Sequence, residues 1–244
     1  MNIQHYIVFH RNYYGGKYSN LRNYQLVNVN DTIYKNISNI FNEWTAIVNP
    51  YYQNVQNIDM IGFMHYRRIY DTEKINYELL NHLNLCQIFK YRVEDLPVDI
   101  LMDKWIKNHF DYWHMTDYMM NDFCDVVYSF PDIQYLYKHK ILEFNQPRIF
   151  VDCESFLCNY NLYELLVKLT SQYVNYINDK YNLQFDMHVW FDHIGKITEH
   201  VEEKYCWYMR MRMYGYTMEF LISFIIQIYF NYIYDSNNQL IQLA

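Results

Sequence analysis

Residues Asp59–Tyr70 read DMIGFMHYRRIY. Met60 to Met64 is an apolar run, and it delivers His65, Tyr66, Arg67 and Arg68 in succession. A short apolar run that stops in a polar cluster has the form of a buried strand whose carboxyl end opens into a site. Successive side chains of a strand face opposite ways, so alternation carried through the cluster puts His65 and Arg67 on one face and Arg68 on the other. The two adjacent arginines then need not do the same job. The same residues also suit an ion pair at a strand end, and the rest of the chain has to decide.

Upstream, Tyr6–Phe9 is an earlier apolar run that ends in His10 and Arg11, ahead of NYYGGKY, which holds the one Gly-Gly pair of the sequence. This predicts a first strand emptying into a loop. In an open α/β sheet ligands sit beyond the carboxyl ends of strands, so His10 and Arg11 can face the same cleft as His65 and Arg67, or belong to an ordinary exposed loop. Between the two runs, Ile37, Ile40, Phe41, Trp44, Ile47 and Val48 follow three-four spacing, which predicts a core-facing helix closed by Pro50. Glu43 falls beside that stripe, at a solvated edge. Strand, loop, helix and strand is the rhythm of a parallel sheet.

Downstream, Leu96–Met102 predicts a third strand, and Asp103 the N-cap of one long helical region carrying Trp105, Ile106, Phe110, Trp113, Phe123 and Val126. His114 and Asp117, three apart, can touch on one helix face, where a carboxylate orients an imidazole or simply makes a surface hydrogen bond. Arg148–Cys158 predicts a strand with Asp152 and Glu154 on one side, a spacing able to hold a divalent ion. A helix over Asn161–Asn178 shows its stripe in Leu162, Leu165, Leu166, Leu169 and Tyr173. Asp186, His188, Asp192 and His193 are metal-ligand types at no established zinc spacing. Arg210, Arg212 and Glu219 ride on a closing helix that leads into Phe220–Tyr234, FLISFIIQIYFNYIY. That segment falls short of the ~20 apolar residues needed to span a bilayer. It reads as a buried terminal helix, with peripheral membrane contact as the other reading.

Bulk properties narrow the classes. The 244 residues suit one large α/β domain, and 52% hydrophobic with 20% aromatic content is far from the composition of disorder. Twenty-nine tyrosines would suit base stacking, but 20 scattered Lys and Arg against 27 Asp and Glu, net −7, argue against nucleic-acid binding. Five cysteines without a CxxC pair speak against a zinc knuckle or a disulfide framework, and no secretory signal is evident at the start, so the expectation is a reduced, cytoplasmic protein.

Several of these segments, in this order, resemble the domain-of-unknown-function 4422 family, grouped with GT-A glycosyltransferases of capsular and exopolysaccharide synthesis. The likeness rests on Asn36-Ile37-Ser38, on Glu43-Trp44-Thr45-Ala46, and on Gly62-Phe63-Met64-His65-Tyr66-Arg67-Arg68-Ile69-Tyr70. It continues in Asp99-Ile100, more loosely in His114 and Asp117, in Cys153-Glu154-Ser155-Phe156-Leu157, and in Arg212 through Leu221. Glu154 stands where the family has Asn, and Phe220 where it has Arg. Residues Gln184–Glu203 have no counterpart.

The resemblance implies an α/β, GT-A-like single domain: a central, mostly parallel sheet flanked by helices, a long C-terminal helix, a nucleotide-sugar half over 1–102 and an acceptor half over 103–244. It implies transfer of a sugar from a UDP- or GDP-linked donor to a glycan or other hydroxyl acceptor. GT-A enzymes typically hold Mn2+ or Mg2+ on an Asp-x-Asp, which this sequence lacks. An arginine fork binds phosphate oxygens bidentately, so the expectation is a metal-independent transferase. His10, Arg11, His65, Tyr66, Arg67, Arg68 and His114 would hold the donor. Asp117, Glu154 and Glu219 are candidates for the base an inverting reaction needs. The alternatives are a metal-dependent transferase using Asp152 and Glu154, or a non-catalytic glycan- or nucleotide-binding protein of the same fold.

Overall fold

The structure, a computed structural model, describes residues 1–9, 24–55, 57–66, 72–82, 86–89, 91–94, 102–112, 116–131, 148–151, 155–199, 210–229, 232–234 and 240–242. The strands are β1 (Ile3–Phe9), β2 (Tyr24–Asn28), β3 (Met60–His65), β4 (Cys86–Ile88), β5 (Tyr91–Glu94), β6 (Arg148–Val151), β7 (Phe156–Asn159), β8 (Tyr232–Tyr234) and β9 (Leu240–Gln242). The helices are α1 (Ser38–Phe41), α2 (Glu43–Tyr52), α3 (Tyr77–His82), α4 (Met102–Tyr112), α5 (Asp117–Val127), α6 (Tyr160–Lys180), α7 (Met187–Ile197) and α8 (Met213–Tyr229).

Seven strands form one sheet in the order β2-β1-β3-β7-β4-β8-β9, and β5 pairs with β6 apart from it. β2, β1 and β3 are mutually parallel, β7 runs against both β3 and β4, β8 is parallel to β4, and β9 reverses again. Five strands therefore point one way and two the other. This is the α/β layout expected from the sequence, a mostly co-directional central sheet with helices against it.

β3 sits inside the sheet with every residue buried, because both of its faces are covered. Ile61 and Phe63 join the larger core, built with α2, α6 and α8, while Met60 and Met64 join a smaller core with Leu80 and Phe89. The alternation inferred for the strand is thus real, and it places His65 on the parity of Ile61 and Phe63, toward α2.

The helix expected through Ile37–Val48 is broken. Asn42 takes φ 47°, ψ −121°, separating α1 from α2. Pro50 does not close α2 but lies within it. Proline cannot be a helix donor, and the ladder here is opened. The Tyr163 hydroxyl donates to the Ile47 carbonyl at 2.7 Å and accepts from the Tyr51 N–H at 3.1 Å, standing between two groups that would otherwise bond directly.

Three further expectations change. The long helix after Asp103 is two helices: α4 begins at Met102, so Asp103 is inside it, and Thr116, extended at φ −77°, ψ 155°, caps α5 by accepting from Met119 N–H at 3.4 Å. The strand read as Arg148–Cys158 is split between β6 of the small sheet and β7 of the large one. The apolar stretch Phe220–Tyr234 is helical only to Tyr229 and supplies β8 at Tyr232–Tyr234. Phe220 through Gln227 are buried in unbroken succession, so α8 is apolar on all sides because it runs through the core. Among the described residues no helix is long and apolar enough to cross a membrane. The third strand expected at Leu96–Met102 falls outside the described residues except for Met102, which is helical.

α6 confirms its stripe: Leu166, Leu169 and Tyr173 are buried, Leu162 and Leu165 half-buried. Asn159 starts it by accepting from Leu162 N–H at 3.0 Å, an N-cap that meets an otherwise orphaned donor.

Candidate functional site

β1 and β3 run side by side to a common carboxyl edge. Val8 is level with His65, and the Tyr66 N–H donates to the Val8 carbonyl at 3.0 Å. β1 ends at Phe9 and β3 at His65. His65 is buried at this edge, and Tyr66 is half-buried with its ring 4.4 Å from the imidazole, centroid to centroid.

Across from His65 stands Glu43. His65 Nε2 is 3.4 Å from Glu43 Oε1, and their side chains are only 8% and 7% exposed. The carboxylate was expected at a solvated edge, and it lies instead in the buried arc. Its sequence signal is visible in retrospect: Glu43 comes four residues before the fully buried Ile47, so helical spacing within α2 puts the two on one face. As the first residue of α2 it also sits where helix amides favour negative charge. Two ionisable side chains held away from water at a strand end demand mutual compensation and are common at working sites.

Of the other candidates, Asp117 is exposed at the first turn of α5. Thr116, immediately before it, is extended as the N-cap of that helix. Glu219 is half-buried on α8, where its carbonyl accepts from the Ser223 hydroxyl at 2.8 Å, and that hydroxyl in turn accepts from Val151 N–H. Phe220 is a core residue, stacked at 3.9 Å on the buried His109. His10, Arg11, Arg67, Arg68, His114, Asp152 and Glu154 lie outside the described residues.

The Asp186–His193 group does not converge. Asp186 caps α7, accepting from His188 and Val189 N–H, and His188 and Asp192 are exposed. His193 points inward, its Nε2 3.0 Å from the Tyr214 hydroxyl, and burial, aided by the Lys196 charge, lowers its pKa to about 4. Among the described residues no three His, Cys, Asp or Glu side chains gather as metal ligands. Glu43 and His65 alone are two donors, short of the six to eight oxygens a hard cation such as Ca2+ takes, with waters filling the remainder for Mg2+.

No protein-family model matches the chain, and no curated protein matches it. It is similar to a solved structure of the WbbM bifunctional glycosyltransferase in its apo form, at a TM-score of 0.49 and 12% identity, over 93% of this chain and 42% of that one. The chain thus spans under half the length of that protein.

Proposed function

We propose that this chain is a glycosyltransferase that moves a sugar from a UDP- or GDP-linked donor to a hydroxyl of a glycan or other acceptor, at the carboxyl edge of β1 and β3. The observation that carries the proposal is the buried Glu43–His65 pair. It joins the Glu-Trp-Thr-Ala element to the His-Tyr-Arg-Arg element, two of the segments on which the resemblance to the domain-of-unknown-function 4422 family rests. Membership of that family is part of the same proposal.

In such a transfer the bond from the anomeric carbon to the diphosphate oxygen breaks and its electron pair leaves with the diphosphate. The acceptor oxygen forms the new bond and gives up its proton. His65, Arg67 and Arg68 would meet the charge growing on the leaving group, and Glu43 would fix the orientation of the imidazole from behind. Asp117, Glu154 and Glu219 remain the candidates for taking the acceptor proton, and Asp117 is more open to solvent than Glu219.

The test is release of free nucleotide from a panel of UDP- and GDP-linked sugars, paired with titration of UDP and GDP. The proposal expects tight binding of one nucleotide class and slow release even without an added acceptor. Binding with no release under any acceptor would make the chain a binding protein of the same fold.

A further inference from the structure

A second surface carries chemistry of its own. It lies at the amino end of β3, about 20 Å from His65 along the strand, so it is separate from the site above. Two concavities meet there at Tyr51. One, of 570 Å³, is bounded by Tyr51, Tyr52, Lys168, Ser171, Gln172 and Asn175, with Tyr176 at its far end. The other, of 450 Å³, is bounded by Tyr51, Asn54, Asn57, Tyr160 and Glu164, with Val55 and Ile58 at its floor.

Tyr160, Glu164, Lys168, Ser171 and Asn175 are spaced by four, four, three and four residues. They therefore form one face of α6 and a continuous wall about 22 Å long at 1.5 Å per residue. The opposite wall is the end of α2 and the turn after it, where Asn54 and Asn57 take φ 51° and 63°. This wall is held in place. The Tyr51 N–H donates to the Tyr163 hydroxyl, the Tyr52 hydroxyl donates to Ser171 Oγ at 3.1 Å, and the Asn57 carbonyl accepts from the Asn2 side chain. The Tyr51 and Tyr52 rings stand at 86° to each other, and Tyr52 is 39% exposed.

The lining selects among ligand classes. Lys168 and Glu164 cancel in charge, so nothing here draws a polyanion, which needs clustered cations. The described residues that line it lie on helices and turns and none on a strand, so an extended peptide finds no strand there to extend. Tyrosine faces and edges suit the apolar C–H faces of pyranose rings, and amide and hydroxyl side chains both donate and accept, as sugar hydroxyls require. We propose that this furrow binds a neutral oligosaccharide chain laid along α6, a glycan-docking site remote from the Glu43–His65 pair.

The experiment titrates maltohexaose, cellohexaose and mannohexaose, with oligogalacturonate and an oligodeoxythymidylate as charged probes, into the 15N-labelled protein. The side-chain amide signals of Gln172 and Asn175 are followed. At least one neutral hexasaccharide should shift both. Tyr52→Ala and Asn175→Ala should each weaken that binding about tenfold while leaving nucleotide release as in the parent. Tyr52→Phe, which keeps the ring, should bind nearly as the parent does. The proposal is overturned if no neutral hexasaccharide shifts these signals, if only a charged probe does, or if binding survives both alanine variants. None of these results bears on nucleotide release, so the two proposals stand or fall separately.

Discussion

Gly215 lies so close to Asn42 that a Cβ on it would sit 2.6 Å from Asn42 Nδ2 and 3.0 Å from the Ile40 carbonyl oxygen. The break between α1 and α2 is therefore pressed onto the start of α8, and the next residue, Glu43, is aimed by that contact. In a helix, Gly→Ala normally stabilises by about 1 kcal/mol. Gly215→Ala should do the reverse, destabilising by about 1–3 kcal/mol through overpacking. Gly195 on α7 has nothing within 4 Å of its would-be Cβ, so Gly195→Ala should stabilise by roughly 0.5–1 kcal/mol. Chemical denaturation of both variants checks the opposite signs.

Glu43→Gln keeps the shape of the side chain and removes its charge from beside His65. A loss of about 1–3 kcal/mol in unfolding free energy is expected, in the range for a buried charged hydrogen-bonding partner. Nucleotide release should fall with it, at a denaturant concentration where the variant is still folded. A fall in stability with full retention of release would make the pair a structural device only.

Tyr163 closes the gap in α2 that accompanies Pro50. Tyr163→Phe leaves the Ile47 carbonyl and the Tyr51 N–H without that hydroxyl, and should cost about 1–3 kcal/mol. In the Pro50→Ala background the two backbone groups can bond directly, so the same substitution should cost distinctly less. A double-mutant cycle reads the coupling, and strict additivity would show that the hydroxyl does not serve the helix ladder.

Two buried imidazoles set an acid sensitivity. Burial lowers His5 and His193 from 6.5 to about 4. The Tyr77 hydroxyl donates to the Thr72 carbonyl at 3.0 Å, so in its 3.1 Å contact with His5 Nε2 it must accept, which makes His5 the Nε2–H tautomer. His5 Nδ1 is buried without a hydrogen-bond partner, so a second proton has nothing to bond to. Both rings are neutral when folded, while the unfolded chain takes up protons below 6.5. Stability from these groups is complete above pH 6.5 and is lost as pH falls toward 4, on the order of 3 kcal/mol each. Unfolding free energies between pH 7.5 and 4.5 should show this slope, and His193→Gln should flatten it. An unchanged slope would contradict the assignment.

The parts of this fold written in local pattern were legible. β1, β3 and α6 announce themselves because apolar runs and three-four stripes record burial directly. What depends on a distant partner was not. The break at Asn42 is marked by no glycine or proline, and the residue packed against it, Gly215, comes from far along the chain. Glu43 looked solvated because its neighbour His65 belongs to another element, and only packing brings the two together. Arg148–Cys158 reads as a single strand by residue type, yet β6 and β7 belong to different sheets. Of the candidate site, His65 and Tyr66 were readable as a strand end, and the partner that buries His65 was not.

We propose that side-chain cations, not a metal ion, carry the charge of the departing diphosphate. The most direct measurement is nucleotide release from the preferred donor by the parent protein and by Arg67→Ala, each with and without EDTA. The account predicts a parent rate indifferent to EDTA and a fall of about 100-fold or more in Arg67→Ala, the scale seen when one donor to a developing oxyanion is removed. Release abolished by EDTA, with Arg67→Ala close to the parent, would contradict it and shift attention to Asp152 and Glu154.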